Sequence, residues 1–166
     1  CYGSDTTNPA KNIKRAAKCA QDGHLATLRF AHAVFHVSEI SRSCSHQFVR
    51  SKHLEFLQRS QRYCNESETN FYYPGTASDT RISGLYQTAM RVYNDLIAAG
   101  VKKEDARYVL PEGTHTELVV VGNMQAWMDF IKLRADKHAQ AEIRNVAKEI
   151  NNQLHKHCPN LFNWMP

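Results

Sequence analysis

The sequence Gln47-Phe48-Val49-Arg50-Ser51-Lys52-His53 continues, after four further residues, as Gln58-Arg59-Ser60-Gln61-Arg62-Tyr63. This stretch mixes cations with amide and hydroxyl side chains and has no helical periodicity. Arginine offers a bidentate fork to phosphate, and glutamine and serine form hydrogen bonds with the edges of planar rings. A solvated basic face is the alternative, but the stretch contains few balancing acids. It therefore predicts a binding site for a phosphorylated heterocycle.

The composition is that of a globular protein. Hydrophobic residues make up 42% and charged residues 22% of the 166 positions, which excludes overall disorder. No apolar run approaches the ~20 residues that a membrane helix needs, and the formal net charge of +5 favours anionic partners. The five cysteines are odd in number and widely spaced, so neither a disulfide framework nor a zinc site is expected. We therefore expect a reduced, cytoplasmic protein without a metal.

Hydrophobic periodicity alternates between helix and strand along the chain. Helices are predicted over 11–22, 83–99, 124–133 and 135–157, with shorter helical pieces at 38–49 and 104–110. Strands are predicted at 28–37 and 116–121, and a loop at 65–79. The predicted helix 83–99 places Leu85, Ala89, Val92 and Leu96 on one face, and the strand 116–121 turns Thr116, Leu118 and Val120 inward. This order predicts an α+β or α/β protein.

Three ordered blocks of the sequence resemble one family. The first matches a signature of the form RHRxxSxxxxSxRY at Arg50, Ser60, Arg62 and Tyr63, and Ile40-Ser41-Arg42-Ser43-Cys44-Ser45-His46-Gln47 precedes it in a family-like ISRxxxHQ pattern. The second, Ala106-Arg107-Tyr108-Val109-Leu110-Pro111, is similar to an AR-x-x-LP element. The third, which runs from Leu133 to Arg144, is similar to LRxxxxAQxEIR. On these blocks the chain resembles the flavin-dependent thymidylate synthases over nearly its whole length.

The resemblance implies a fold and a reaction. We expect an α+β protein in which a single domain, residues 1–166, has a central, mostly antiparallel sheet with flanking helices and forms a homotetramer that shares its active sites between subunits. We also expect an N-terminal segment to precede Cys1, because the chain does not begin with Met. The family methylates C5 of deoxyuridine monophosphate (dUMP) to give dTMP. Methylenetetrahydrofolate is the carbon donor, reduced FAD supplies a hydride, and NADPH re-reduces the flavin.

The resemblance also assigns residues. Arg134 corresponds to the arginine that activates uracil and is the expected catalytic residue. The expected dUMP contacts are Gln47, Gln58, Ser60, Arg62, Arg107 and Arg134. The expected FAD contacts are Arg50, Ser51, Lys52, His53, Asn123, Asp129 and His138.

Each of these assignments has a simpler structural interpretation. Arg134 is also explained as a surface cation at a helix end, and Arg107 as a local ion-pair partner of Glu104 or Asp105. Asn123 is equally suited to cap a helix, and His138 to lie on the surface.

The sequence departs from the family pattern at several positions. Ser51 and Lys52 stand where the signature has His and Arg, and these are positions of flavin contact. Glu55 replaces the first signature Ser, and Gln58 replaces a common Glu. Upstream, Gly23-His24 resembles a GHxSxxEH element in which Ala26, Arg29 and Phe30 replace the Ser, Glu and His.

Two alternatives therefore stay open at the level of sequence. One is a diverged or inactive flavoenzyme paralogue that acts on another pyrimidine nucleotide, as the changed signature suggests. The other is a non-enzymatic nucleic-acid-binding protein, suggested by the net charge of +5 and the cations between Arg50 and Arg62. We regard nucleic acid as the less favoured partner and expect no membrane association.

Overall fold

The protein is described here by a computed structural model covering residues 3–75 and 79–162. Its helices are α1 (Pro9–Gln21), α2 (Arg42–Phe48), α3 (Thr80–Ala98), α4 (Lys103–Ala106), α5 (Met124–Arg134), α6 (Ala141–His157) and α7 (Pro159–Phe162). Its strands are β1 (His32–Ser41), β2 (Leu54–Gln58) and β3 (His115–Asn123), and they form one antiparallel sheet in the order β1-β3-β2. Short 3₁₀ helices span Leu25–Phe30 and Arg107–Val109. The α+β class is therefore confirmed.

The described chain divides into two compact units. The first comprises residues 3–35, 51–55 and 121–162, and the second comprises residues 36–50, 56–75 and 79–120. None of the helices in the described ranges combines the length and apolar character needed to cross a bilayer.

The core of the first unit is built around Trp127 on α5. Its side chain is fully buried and lies edge-on to Phe35 at 4.9 Å and to Phe130 at 5.9 Å between ring centroids. The indole Nε1–H donates to the carbonyl oxygen of Ala33 at 3.2 Å, so the polar end of the ring is satisfied. Helix α6 packs against α5 and buries Ile143, Ala147, Ile150 and Leu154.

The core of the second unit combines aromatic residues with β3. Phe48 and Phe56 meet edge to face at 5.8 Å, and Tyr86 stacks on Phe71 at 4.6 Å. Tyr93 is fully buried, and its hydroxyl accepts a hydrogen bond of 3.1 Å from the backbone N–H of Glu66. The predicted inward face of β3 is confirmed, because Thr116, Leu118 and Val120 are all buried.

Helix α3 exposes part of its predicted apolar face. It buries Tyr86, Ala89 and Tyr93, whereas the side chains of Leu85 and Val92 are 60% and 37% exposed. Tyr86 and Tyr93 are buried instead, because each has a large apolar ring and a hydroxyl that can form a hydrogen bond. Of the apolar face that the sequence defines, Ala89 is therefore buried, whereas Leu85 and Val92 are exposed.

Several predicted boundaries also differ from the structure, and one strand was not predicted. The strand predicted at 28–37 begins at His32 and runs to Ser41, whose hydroxyl accepts from the backbone N–H of Cys44 at 2.9 Å and so starts α2 only at Arg42. The helix predicted from Ala135 begins at Ala141, because Arg144 donates to the carbonyl oxygens of Lys137 and Ala139 and holds a turn there. Strand β2 was not predicted, since polar residues surround its five positions.

Candidate functional site

Residues 50–53 connect α2 to β2 and carry the diverged part of the signature. His53 takes a φ of +62°, a left-handed conformation that histidine adopts more readily than most residues. Leu54 then begins β2 and is buried beside Gly122, where an added Cβ would collide with the leucine side chain. Leu54 and Gly122 are thus fitted closely together in the first unit, and His53 adjoins that contact.

A cavity of about 220 Å³ in the first unit gathers several of the expected FAD contacts. We call it the α5 cavity, since most of its lining comes from the start of that helix. It is lined by Arg29, His53, Asn123, Gln125, Ala126 and Asp129. Three residues expected to contact FAD, namely His53, Asn123 and Asp129, therefore share one cavity.

The polar groups of the α5 cavity include both donors and acceptors. The Asn123 side-chain oxygen accepts from the backbone N–H of Ala126 at 2.9 Å, so Asn123 is a helix cap as well as a lining residue. The Arg29 Nε–H donates to the Gln125 side-chain oxygen at 2.7 Å. Asp129 adds a carboxylate on the exposed side of α5. This mixture suits the edge of a planar heterocycle.

Ser51 carries an unsatisfied polar atom. Its hydroxyl oxygen is buried, and within residues 3–75 and 79–162 it has no hydrogen-bond partner. Because such a group costs free energy when it stays unpaired, a bound ligand is a natural partner for it. The group fits the flavin contact that the family pattern implies at this position.

The remaining expected FAD contacts lie outside the α5 cavity lining. Arg50 and Lys52 are exposed. His138 is exposed in the turn before α6, and its ring Nδ1 lies 2.7 Å from a carboxylate oxygen of Asp136. Hydrogen bonds from the His138 backbone and ring hold the pKa of Asp136 below its usual value.

A second cavity, of about 340 Å³, lies in the second unit. We call it the Arg42 cavity. Its charged and polar lining consists of Arg42, His46, Gln61, Arg107, Tyr108 and Glu112. Arg107 is the one expected dUMP contact among these lining residues.

The Arg42 cavity concentrates positive charge. Arg42 is half-buried, and burial, together with the nearby Arg107, lowers the pKa of its guanidinium, although Glu112 opposes this. In the described ranges, the Arg42 side chain forms neither a hydrogen bond nor an ion pair. Arg107 donates to the backbone carbonyl of Glu104 at 3.1 Å, so the expected local ion pair is instead a contact with the main chain.

Gln61 adds a donor to the Arg42 cavity. It is only 9% exposed, and its Nε2 is buried without a partner among the described residues. Two guanidinium groups and an unpaired amide donor form an arrangement that an anion with several oxygens, such as phosphate, would satisfy.

Other signature side chains are engaged within the protein. Arg62 pairs with the Glu104 carboxylate at 2.7 Å, and Arg59 pairs with Glu66 at 3.2 Å and Glu117 at 3.4 Å. The acidic side chains that balance these arginines thus come from other parts of the second unit.

The other expected dUMP residues of the second unit are only partly accessible. The Gln58 amide donates to the hydroxyl of Ser45 at 2.9 Å. Gln47 is half-buried on α2, and Ser60 is half-buried just after β2. These three residues line neither the α5 cavity nor the Arg42 cavity.

Arg134 is the last residue of α5 and is half-buried. With a rise of about 1.5 Å per residue, it lies about 16 Å along the helix from Asn123. It therefore occupies the opposite end of α5 from the α5 cavity.

Sequence reasoning did not assign several of the lining residues, among them Arg29, Arg42, Gln61 and Gln125. Arg42 stood in the ISRxxxHQ element, and Gln61 in the signature itself, so their positions carried a signal. In the sequence, Arg29 is a departure from the family pattern and carries no assigned role. Gln125 carried no signal, because only the fold places it beside Arg29.

Known proteins resemble this chain over almost its whole length. Residues 1–160 match the sequence model of the family described as "Thymidylate synthase complementing protein". Proteins named flavin-dependent thymidylate synthase from Mycobacteroides abscessus (33% identity), Corynebacterium efficiens (34%) and Mycobacterium tuberculosis (34%) are similar to it. Each alignment covers 98% of this chain and 74% of the relative.

Proposed function

Since the chain belongs to the thymidylate synthase complementing protein family and is an enzyme of the flavin-dependent thymidylate synthase type, we propose that it methylates dUMP to dTMP. Methylenetetrahydrofolate is the proposed carbon donor, FAD the cofactor and NADPH the reductant. We place this activity in the cytoplasm and treat residues 1–166 as one functional domain.

The observation that carries the proposal is the Arg42 cavity. Arg42 and Arg107 face a common space, and the buried amide of Gln61 lacks a partner among the described residues. An enzyme of this family needs a site for a nucleotide monophosphate, and these groups would bind its phosphate. Gln47, Gln58, Ser60 and Arg62 are proposed to complete the dUMP contacts.

The residues of the first unit fit a flavin. The α5 cavity offers Asn123, Gln125 and Asp129 as hydrogen-bonding groups, and the buried Ser51 hydroxyl has no partner in the part of the chain that is described. We propose Arg50, Ser51, Lys52, His53, Asn123, Asp129 and His138 as FAD contacts. When bound and reduced, the flavin supplies the hydride that converts the transferred methylene into a methyl group.

Arg134 is the proposed catalytic residue. Its guanidinium stays charged at any working pH and presents a rigid fork of donors. Held against the uracil ring, it would stabilise negative charge that develops there and so raise the nucleophilicity of C5. The reaction then needs no cysteine nucleophile.

Complementation of a thymidine-requiring bacterial strain tests the proposal directly. The wild-type gene should restore growth without thymidine, and the Arg134→Ala gene, expressed at the same level, should not. Yellow colour in the purified protein would support a bound flavin. A diverged paralogue would be yellow but would not complement. A protein that is colourless, does not complement and binds nucleic acid with a steep salt dependence would favour the nucleic-acid alternative.

The two signature arginines should separate the two ligands. Arg50→Ala is expected to weaken FAD more than dUMP, and Arg62→Ala to weaken dUMP more than FAD. A lost charge-assisted contact costs about 1.5–3 kcal/mol, and because Arg62 must also leave Glu104, its effect belongs at the lower end. Titrations of both ligands against both variants would measure this, and equal losses throughout would refute the assigned roles.

We also propose a homotetramer. Leu85 and Val92 lie seven residues apart on the exposed face of α3, and covering such apolar side chains favours association. Light scattering should give about four times the 19.0 kDa chain mass. Leu85→Arg should lower that mass, whereas Ile13→Arg, at a residue 48% exposed on α1, should not. A wild-type monomer that still binds FAD would contradict the tetramer.

A further inference from the structure

Arg29 places a cation where the family pattern has a glutamate. It lies in the 3₁₀ helix Leu25–Phe30 and lines the α5 cavity. The hydrogen bond of 2.7 Å from its Nε–H to Gln125 fixes the direction of the guanidinium against α5. The replacement therefore changes the charge of a cavity in which three expected FAD contacts meet.

The size of this change follows from the charged groups that line the cavity. These are Arg29 and Asp129. A glutamate at position 29 would give the lining two carboxylates, whereas arginine balances the single carboxylate of Asp129. The difference is two units of charge at one position, at which an anionic ligand would be repelled or attracted.

Most hydrogen-bond donors of the Arg29 guanidinium are unused within the described ranges. Arginine carries five N–H donors, and in the described ranges the only hydrogen bond of the Arg29 side chain is the one to Gln125. Arg29 forms no ion pair in those same ranges. No carboxylate is paired directly with it, so its remaining donors are available to a molecule in the cavity.

The signature, by contrast, has lost donors. Ser51 replaces a ring that can carry a positive charge, and Lys52 replaces a guanidinium fork with a single ammonium group. Neither residue lines the α5 cavity. Among the residues that line this cavity, Arg29 therefore supplies the positive charge.

We propose that Arg29 is a cofactor-binding residue that compensates for the diverged signature and favours the reduced state of the flavin. This inference rests on the proposed function, since it assumes that the α5 cavity receives part of FAD. Reduction adds negative charge to the flavin ring, and a fixed cation beside the ring stabilises that state more than the oxidised one. Arg29 thus binds the cofactor and raises its reduction potential.

The test compares four variants of the full-length protein loaded with FAD. Arg29→Gln removes the charge, Arg29→Glu installs the residue of the family pattern, and Arg29→Lys keeps the charge without the fork. Arg15→Gln, on the exposed face of α1, is the matched control. Two quantities are measured: the dissociation constant of oxidised FAD by fluorescence titration, and the midpoint potential of bound FAD by equilibration with a reference dye.

Arg29→Gln should weaken reduced FAD about tenfold more than oxidised FAD, which for a two-electron couple lowers the midpoint potential by about 30 mV. Arg29→Glu should lower the potential further, because it changes two units of charge. Arg29→Lys should stay near the wild-type potential, and Arg15→Gln should match it. Should Arg29→Gln fold poorly, as judged by circular dichroism, the comparison of Arg29→Lys with Arg29→Glu still measures the effect of charge.

Two negative results are distinguishable. If wild-type protein binds FAD and complements, but the Arg29 variants all keep its potential, the role of Arg29 is overturned and the proposed function stands. If wild-type protein binds no FAD under any condition, both the role of Arg29 and the proposed function fail.

Discussion

Replacing Arg134 with lysine is expected to preserve much of the dUMP affinity while lowering turnover by about 10²–10³. Lysine keeps the positive charge but replaces the planar fork of donors with a single ammonium group. Binding the nucleotide draws on the phosphate contacts proposed in the Arg42 cavity, whereas activating the uracil ring draws on the geometry at Arg134. The fold should survive, because Arg134 is the last, half-buried residue of α5.

Lys132 provides a matched control for this prediction. It lies in the same last turn of α5 and complements the helix dipole in the same way. If Arg134 served only to stabilise the helix end, Lys132→Ala and Arg134→Ala would lower thermal stability alike and leave turnover in place. Single-turnover rates with FAD and dUMP bound decide between these outcomes. An Arg134→Lys enzyme within about threefold of the wild-type rate would remove Arg134 from the catalytic assignment.

Local sequence signals predicted the parts of the fold that depend on local chemistry. The periodicity of β3 predicted which side chains it buries, because alternation along a strand directly reflects its two faces. Which face of α3 is buried could not be predicted from its own sequence, because the burial of Tyr86 and Tyr93 depends on Phe71 and Glu66, which lie elsewhere in the chain. Strand β2 escaped prediction because a five-residue segment between polar stretches carries too little pattern.

In the candidate site, too, some features follow from the sequence and others only from tertiary contacts. The resemblance to a family identified His53, Asn123 and Asp129, and the fold brings these three together at one cavity. Hydrogen bonds between distant residues could not be predicted: Arg29 and Gln125, which form one, lie 96 positions apart in the sequence. The ion pair of Arg62 with Glu104 likewise depends on tertiary structure. A family pattern therefore identifies residues, whereas their charge balance is known only from the fold.

Replacing Arg42 with methionine is expected to weaken dUMP by about 10–100-fold while leaving the protein as stable as before or more so. Arg42 is placed unfavourably for the folded chain in three ways. It is half-buried; it lies near Arg107, which disfavours its charge; and it is the first residue of α2, where the helix dipole disfavours a cation. Within residues 3–75 and 79–162 its side chain forms no hydrogen bond or ion pair, and the nearby Glu112 carboxylate offsets these costs only in part.

If the Arg42 charge destabilises the folded protein but binds the ligand, removing it should lower dUMP affinity without lowering the stability of the fold. Methionine matches the aliphatic length of arginine and should fill the same space. Thermal unfolding and titration with dUMP and deoxyuridine measure the two effects: dUMP affinity should fall and deoxyuridine affinity should hold, since only dUMP carries the phosphate. Arg91→Met, at an exposed position of α3, should change none of these quantities. If Arg42→Met lowered the melting temperature and weakened both ligands equally, Arg42 would be a structural residue and the Arg42 cavity would not be the phosphate site.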